Sequence, residues 1–162
     1  MRRRQVSILA GDVIRVRYGR RAAMSPIMSL VEKCQLKACA VSFGTAHEEA
    51  LLSHPVVGQT WESFVIETLI AVAPDGTEAH YYRTSNGTEV DLVLTLPGGK
   101  LWAVEIKRSS APKVERGFRS ACADLKPNKR FVVYPGEERF SLDDETDAIG
   151  VAALARALQS AK

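Results

Sequence analysis

The chain reads as an α/β domain, a mixed central sheet flanked by helices in the order helix, three strands, helix, strand. Three features carry that expectation. His54–Pro74 is a long run with helical spacing. Thr88–Pro97 and Leu101–Arg108 are two short apolar runs joined through Gly98-Gly99. Val114–Leu125 is a second helical pattern, followed directly by the strand-like Arg130-Phe-Val-Val-Tyr-Pro135. Helical and strand periods alternating along one chain are the pattern of helices packed on a sheet.

The first 47 residues differ in character from the rest. Nine Lys and Arg face only Asp12 and Glu32 there, a net of +7, whereas the remainder holds thirteen basic and seventeen acidic residues, which leaves the chain at +3. Val6–Ala10 and Asp12–Tyr18 have strand-like composition and Pro26–Cys39 reads as a modest helix, but residues 1–30 sustain no period of 2 or 3.6. Residues 1–48 are expected to be a basic segment, poorly structured or a remnant of a longer protein, with residues 49–162 forming the domain. A nucleic-acid-binding arm is the alternative for the basic segment.

In the first helix, apolar residues fall at 57, 61, 64, 65, 69 and 72, and Pro74 closes the run. Glu62 lies inside this apolar pattern, where a carboxylate needs a partner or a metal. Glu67 follows five residues later, about 140° around the helix, so the two cannot face one site. Tyr81-Tyr82-Arg83 reads as the first strand of the sheet. Arg139–Leu142 is expected to be a short strand, and Ala148–Val151 leads into a terminal helix over 151–160.

The two apolar runs hold the chemistry. Strand alternation puts Val90, Leu92, Leu94 and Leu96 on one face and Asp91, Val93 and Thr95 on the other. Trp102, Val104 and Ile106 point one way in the next run, and Leu101, Ala103, Glu105 and Lys107 the other. Leu96-Pro-Gly-Gly-Lys100 has the glycines that a hairpin turn requires. Closing it brings Asp91 close to Glu105, with Lys107 two residues along. Two carboxylates sharing a site repel, and a hard divalent cation relieves that repulsion. Lys107 could orient or deprotonate an attacking water or stabilise developing charge, as a metal-dependent phosphodiesterase needs. The same three residues also fit a solvated hairpin face, and alone they do not decide between the two.

Four strings together resemble a known family: Gly58-x-x-Trp61-Glu62-x-Phe64-Val65-x-Glu67, Tyr81–Thr84, Gly87–Val93 and Ala103–Arg108. They are similar to the C-terminal domain of a large group of prokaryotic AAA-type ATPases, a PD-(D/E)XK nuclease-like fold related in its core to Holliday-junction resolvases and restriction enzymes. The resemblance covers roughly residues 50–158, with Val90 in place of the motif proline. It implies a restriction-endonuclease-like core, with Glu62 as the helix-one acid, Asp91 as the motif aspartate, and Glu105 and Lys107 as the E-x-K pair. It further implies Mg2+ or Mn2+ on Glu62, Asp91 and Glu105, DNA as substrate, and a homodimer as a common assembly. The alternative is a non-catalytic nucleic-acid-binding or protein-interaction module left from such an ATPase.

Further expectations follow from charge and composition. Between Lys107 and Arg130 eight basic residues stand against Glu115 and Asp124, a strip suited to a phosphate backbone. Arg83, Arg108, Lys113, Arg116 and Arg119 are the expected DNA contacts. An ordinary solvated helix face is the alternative. ATP binding is not expected, since no G-x-x-x-x-G-K-[ST] occurs. The length of 162 residues suits one domain with an adequate core. No apolar run reaches the ~18 residues of a membrane span, and three cysteines without a C-x-x-C pair suit a reducing, cytoplasmic setting rather than zinc. His47, His54 and His80 are scattered and give no triad pattern.

Overall fold

A computed structural model of the protein describes residues 5–9, 13–17, 55–85 and 87–161. Eight strands form a single mixed sheet: β1 (Gln5–Leu9), β2 (Val13–Arg17), β3 (Glu78–Arg83), β4 (Glu89–Thr95), β5 (Leu101–Ile106), β6 (Lys129–Tyr134), β7 (Arg139–Ser141) and β8 (Thr146–Gly150). Three helices are described: α1 (Pro55–Val72), α2 (Arg116–Leu125) and α3 (Val151–Gln159). The spatial order is β1-β2-β3-β4-β5-β6-β8-β7. Pairing is antiparallel from β1 through β5, parallel from β5 to β6 and β6 to β8, and antiparallel at β7. A parallel step needs a crossover, and α2 supplies it between β5 and β6.

The β4–β5 hairpin closes where the glycines require. Gly99 N–H donates to the Leu96 carbonyl at 3.0 Å, and Gly98 and Gly99 take φ of 82° and 79°. Side chains other than glycine rarely adopt that region. The turn sets Leu92 opposite Val104 and Leu94 opposite Trp102, so the apolar faces coincide.

The sheet separates two cores. On one side Leu92, Leu94, Leu96, Trp102, Val104 and Ile106 pack under Val65, Ile66 and Leu69 of α1 and Leu154, Ala155 and Leu158 of α3. On the other, Tyr82, Val93 and Ala103 pack under Phe118, Ala121 and Cys122 of α2. Trp61, Phe64, Val65, Leu69 and Val72 of the first helical spacing, and Val114, Phe118, Ala121, Cys122 and Leu125 of the second, thus pack in these cores.

Two expectations are corrected. Tyr81–Arg83 is not the first strand of the sheet, because β2 pairs along β3 from Ile14–Arg83 to Arg17–His80, with β1 beyond it. Val90 does not join Leu92 and Leu94; it packs with Val93 and Phe118 on the α2 side. The cause is a bulge. His80 pairs with Val93 and Tyr82 with Val90, so three steps along β4 match two along β3. The extra residue breaks strict alternation and re-aims the side chains next to it. Asp91 lies within that irregular stretch. The short strands expected near residues 6–10 and 12–18 correspond to β1 and β2, while the helix over 26–39 and the boundary at 48/49 lie outside the described residues.

Gly150, where β8 passes into α3, lies against the backbone of Gly136 and Glu137; a Cβ built there would overlap the Gly136 carbonyl oxygen and stand 3.1 Å from Glu137 Cα. Gly117, in the first turn of α2, has open space at the same test. Gly150→Ala should therefore lower stability in urea by about 1–3 kcal/mol, the usual range for forced overpacking. Gly117→Ala should be neutral or stabilising by up to ~1 kcal/mol.

Candidate functional site

The C-terminal end of β5 is held from both sides. The Trp61 indole N–H of α1 donates to the Lys107 carbonyl at 3.3 Å, and the Lys107 N–H donates to the Val133 carbonyl at 2.8 Å. Trp61 thereby docks α1 against the strand end, and the next residue, Glu62, reaches the rim of a cavity there. The cavity is about 280 Å3 and is lined by Glu62, Glu89, Asp91, Glu105, Lys107 and Glu115, with Gly117 and Phe118 of α2 closing it. Five carboxylates share it with one ammonium.

Asp91 and Glu105 form its floor. Asp91 Oδ2 accepts the Ile106 backbone N–H at 2.7 Å across the hairpin. Glu105 is 6% exposed. Its Oε1 accepts from Lys107 Nζ at 2.8 Å, while its Oε2 is buried without a hydrogen-bond partner. Lys107 Nζ also lies 2.8 Å from Oε1 of the largely exposed Glu115. All four residues expected at a catalytic site, Glu62, Asp91, Glu105 and Lys107, therefore line one cavity. Glu67 is exposed, on a different side of α1 from that rim.

The expected DNA contacts are placed unevenly. Arg83 is exposed on the β3–β4 hairpin, 4.0 Å from Glu89, whose carboxylate also accepts the Tyr81 hydroxyl at 2.7 Å. Arg119 on α2 pairs with Asp143 at 3.4 Å. Arg108, Lys113 and Arg116 are exposed along the connection into α2. Two lining residues, Glu89 and Glu115, were not among the expected site residues. Glu89 stands two positions before Asp91, an offset that could have pointed to it. Nothing in the sequence ties Glu115 to Lys107, because an irregular connection separates them.

A family model described as "Domain of unknown function (DUF4143)" matches residues 57–154, which contain all four of these side chains. The chain belongs to the DUF4143 family. This domain is found in AAA-ATPase-associated proteins. Two curated relatives are an uncharacterized protein of Mycobacterium tuberculosis, Rv2008c, and one of Mycobacterium bovis, Mb2031c. Each is 43% identical over 101 residues, which is 62% of this chain and 22% of the relative. The chain thus spans about a fifth of the length of these relatives. No solved structure matches it.

The electrostatics of this DUF4143 site are set by burial and by crowded carboxylates. Burial, then the neighbouring Glu105 charge, push Asp91 from 3.8 up to about 7, against the opposing Ile106 hydrogen bond. Burial likewise raises Glu105, partly offset by Lys107. Burial and the Glu89 charge raise Glu62. For Lys107, burial pulls downward, but its hydrogen bonds to Glu105 and Glu115 outweigh that and hold it above its ordinary value. Among the described residues no three His, Cys, Asp or Glu side chains converge as a ready metal cage. The donor set nevertheless suits a hard cation: a buried carboxylate with an unpartnered oxygen, a half-buried one beside it, and a third on the rim. Magnesium needs only one or two carboxylates beside water and phosphate oxygens. Also among the described residues, no helix is long and apolar enough to cross a membrane.

A raised carboxyl pKa means that ionisation opposes folding. The stability associated with neutral Asp91 is fully present below its ordinary 3.8 and is lost as pH rises through about 7. Asp91→Asn, which can still accept from Ile106, should gain on wild type in urea unfolding between pH 4 and pH 8. An upper bound on that gain is about 4 kcal/mol. A constant difference across the range would contradict this electrostatic picture.

Proposed function

We propose that this DUF4143 protein is a Mg2+- or Mn2+-dependent DNA phosphodiesterase with a PD-(D/E)XK-type core, Glu62, Asp91 and Glu105 being its metal-holding residues. The reading rests chiefly on the buried Glu105 Oε2, which has no partner beside the destabilised Asp91 carboxylate. A cation there would relieve both. It would also let a polyanion approach a cavity that five carboxylates otherwise make repulsive. Once bound, the ion supplies Lewis-acid stabilisation to a phosphoryl oxygen.

The chain's own groups then have defined tasks. Lys107, held above its ordinary pKa, is an ammonium at neutral pH, so it donates hydrogen bonds and does not act as a base. Its three N–H donors can orient a nucleophile and counter charge on the phosphate oxygens. Trp61 and Val133 fix the backbone from which it projects. Arg108, Lys113 and Arg116 would track the DNA backbone beside the cavity. The Lys107 bridge that already neutralises Glu105 supports the second reading, a binding module without catalysis.

Purified protein should cleave plasmid, single-stranded or branched DNA with Mg2+ or Mn2+. Asp91→Ala and Lys107→Ala, checked for folding by circular dichroism, should each reduce cleavage by about a hundredfold or more. Failure of folded wild type on all three substrates would favour the binding module. In either case, Lys113→Ala and Arg116→Ala should each weaken DNA binding without regard to sequence. Each should also lower the log–log salt slope by about 1.

A further inference from the structure

Lys107 is held by two carboxylates of different standing. Glu105 projects from β5 with its side chain 9% exposed, whereas Glu115 is 63% exposed and ends the irregular connection into α2. Both place an oxygen 2.8 Å from Nζ. Glu115 is also the N-cap residue of α2, with extended φ −80° and ψ 155°, a position where Ser, Thr, Asp or Asn would cap the helix and Glu does so poorly. It makes no such cap. Its carboxylate reaches out to Lys107 instead.

That contact is easily exchanged, because ion pairs with an exposed partner are worth about 0–1 kcal/mol. The helix end it leaves uncapped carries partial positive charge. Gly117 brings that first turn to the cavity wall with open space where a side chain would stand. Glu105, with its buried unpartnered oxygen, lines the same cavity.

We propose that Glu115 is a displaceable stand-in for a DNA phosphate: its carboxylate holds the place on Lys107 that a phosphate oxygen takes in the complex. The phosphate is then received jointly by Lys107 and the first turn of α2. This rests on the DNA-binding part of the reading above, not on its cleavage step, and adds to it a residue that sets DNA affinity through Lys107. Glu115 is accordingly a positioning residue. An anion that cannot displace it meets a lysine already engaged.

The test is fluorescence anisotropy with a labelled duplex oligonucleotide at fixed salt, with Ca2+ replacing Mg2+ to hold off cleavage. Glu115→Gln should tighten binding about fivefold, the equivalent of losing a ~1 kcal/mol competitor. The same change is then made in a Glu105→Gln/Lys107→Met background, which removes the Glu105 charge together with its lysine and is checked for folding by circular dichroism. There Glu115→Gln should have no effect. A gain that persists in that background is general charge removal and overturns the proposal, as does unchanged or weaker binding by Glu115→Gln alone. Wild type that cleaves DNA without this pattern overturns the stand-in and leaves the nuclease reading in place. The pattern without cleavage by wild type upholds the stand-in and removes the nuclease reading. No DNA binding by any variant overturns both.

Discussion

Two carboxylates, Asp91 and Glu105, lie side by side on adjacent antiparallel strands at a depth where each is harder to ionise than in water. Much of the local architecture serves to hold them there. The β4–β5 turn sets the register, the bulge opposite His80–Tyr82 falls at Asp91, and the Ile106 amide fixes one Asp91 oxygen. Trp61 ties α1 to the strand end, so an acid from one helical layer and the first turn of α2 from the other meet over the pair. Unpaired buried charge is strongly unfavourable in a folded protein. On the proposal made here, a ligand of opposite sign would offset that cost at the pair.

Lys107 answers part of that demand. It neutralises one oxygen of Glu105 and leaves the other, together with Asp91, without a cationic partner of its own. The cavity as it stands therefore carries an excess of negative charge, while the exposed surface running into α2 carries Arg108, Lys113 and Arg116. An acidic pocket beside a basic approach is physically coherent for a phosphate ligand only if a cation mediates between them. This is why metal and polyanion are proposed together.

Much of this was legible in the sequence wherever periodicity and turn chemistry act locally. The spacing of Val65, Leu69 and Val72, the Gly98-Gly99 turn and the alternation of Trp102, Val104 and Ile106 reflect backbone geometry, and each element stands where those patterns put it. Bringing Asp91, Glu105 and Lys107 together followed from the same hairpin arithmetic. Val90 was misplaced because a bulge depends on pairing with another strand, which alternation within one strand cannot reveal. The β2–β3 pairing was hidden for a similar reason, since the partner segments are far apart in the chain. Glu115 was missed because its contact is made across an irregular connection, where neither the 3.6 nor the 2 period applies.

The central claim is that the Asp91–Glu105 pair is built for a divalent cation, and thermal unfolding in rising Mn2+ at pH 8 tests it most directly. A ligand that binds only the folded state stabilises it by RT ln(1 + L/Kd), where L is the free ligand concentration. The account predicts that the wild-type midpoint rises with Mn2+ and, above the dissociation constant, goes on rising with the logarithm of its concentration, whereas Glu105→Gln shows little or no rise. Equal rises in the two proteins, or none in wild type, would contradict it.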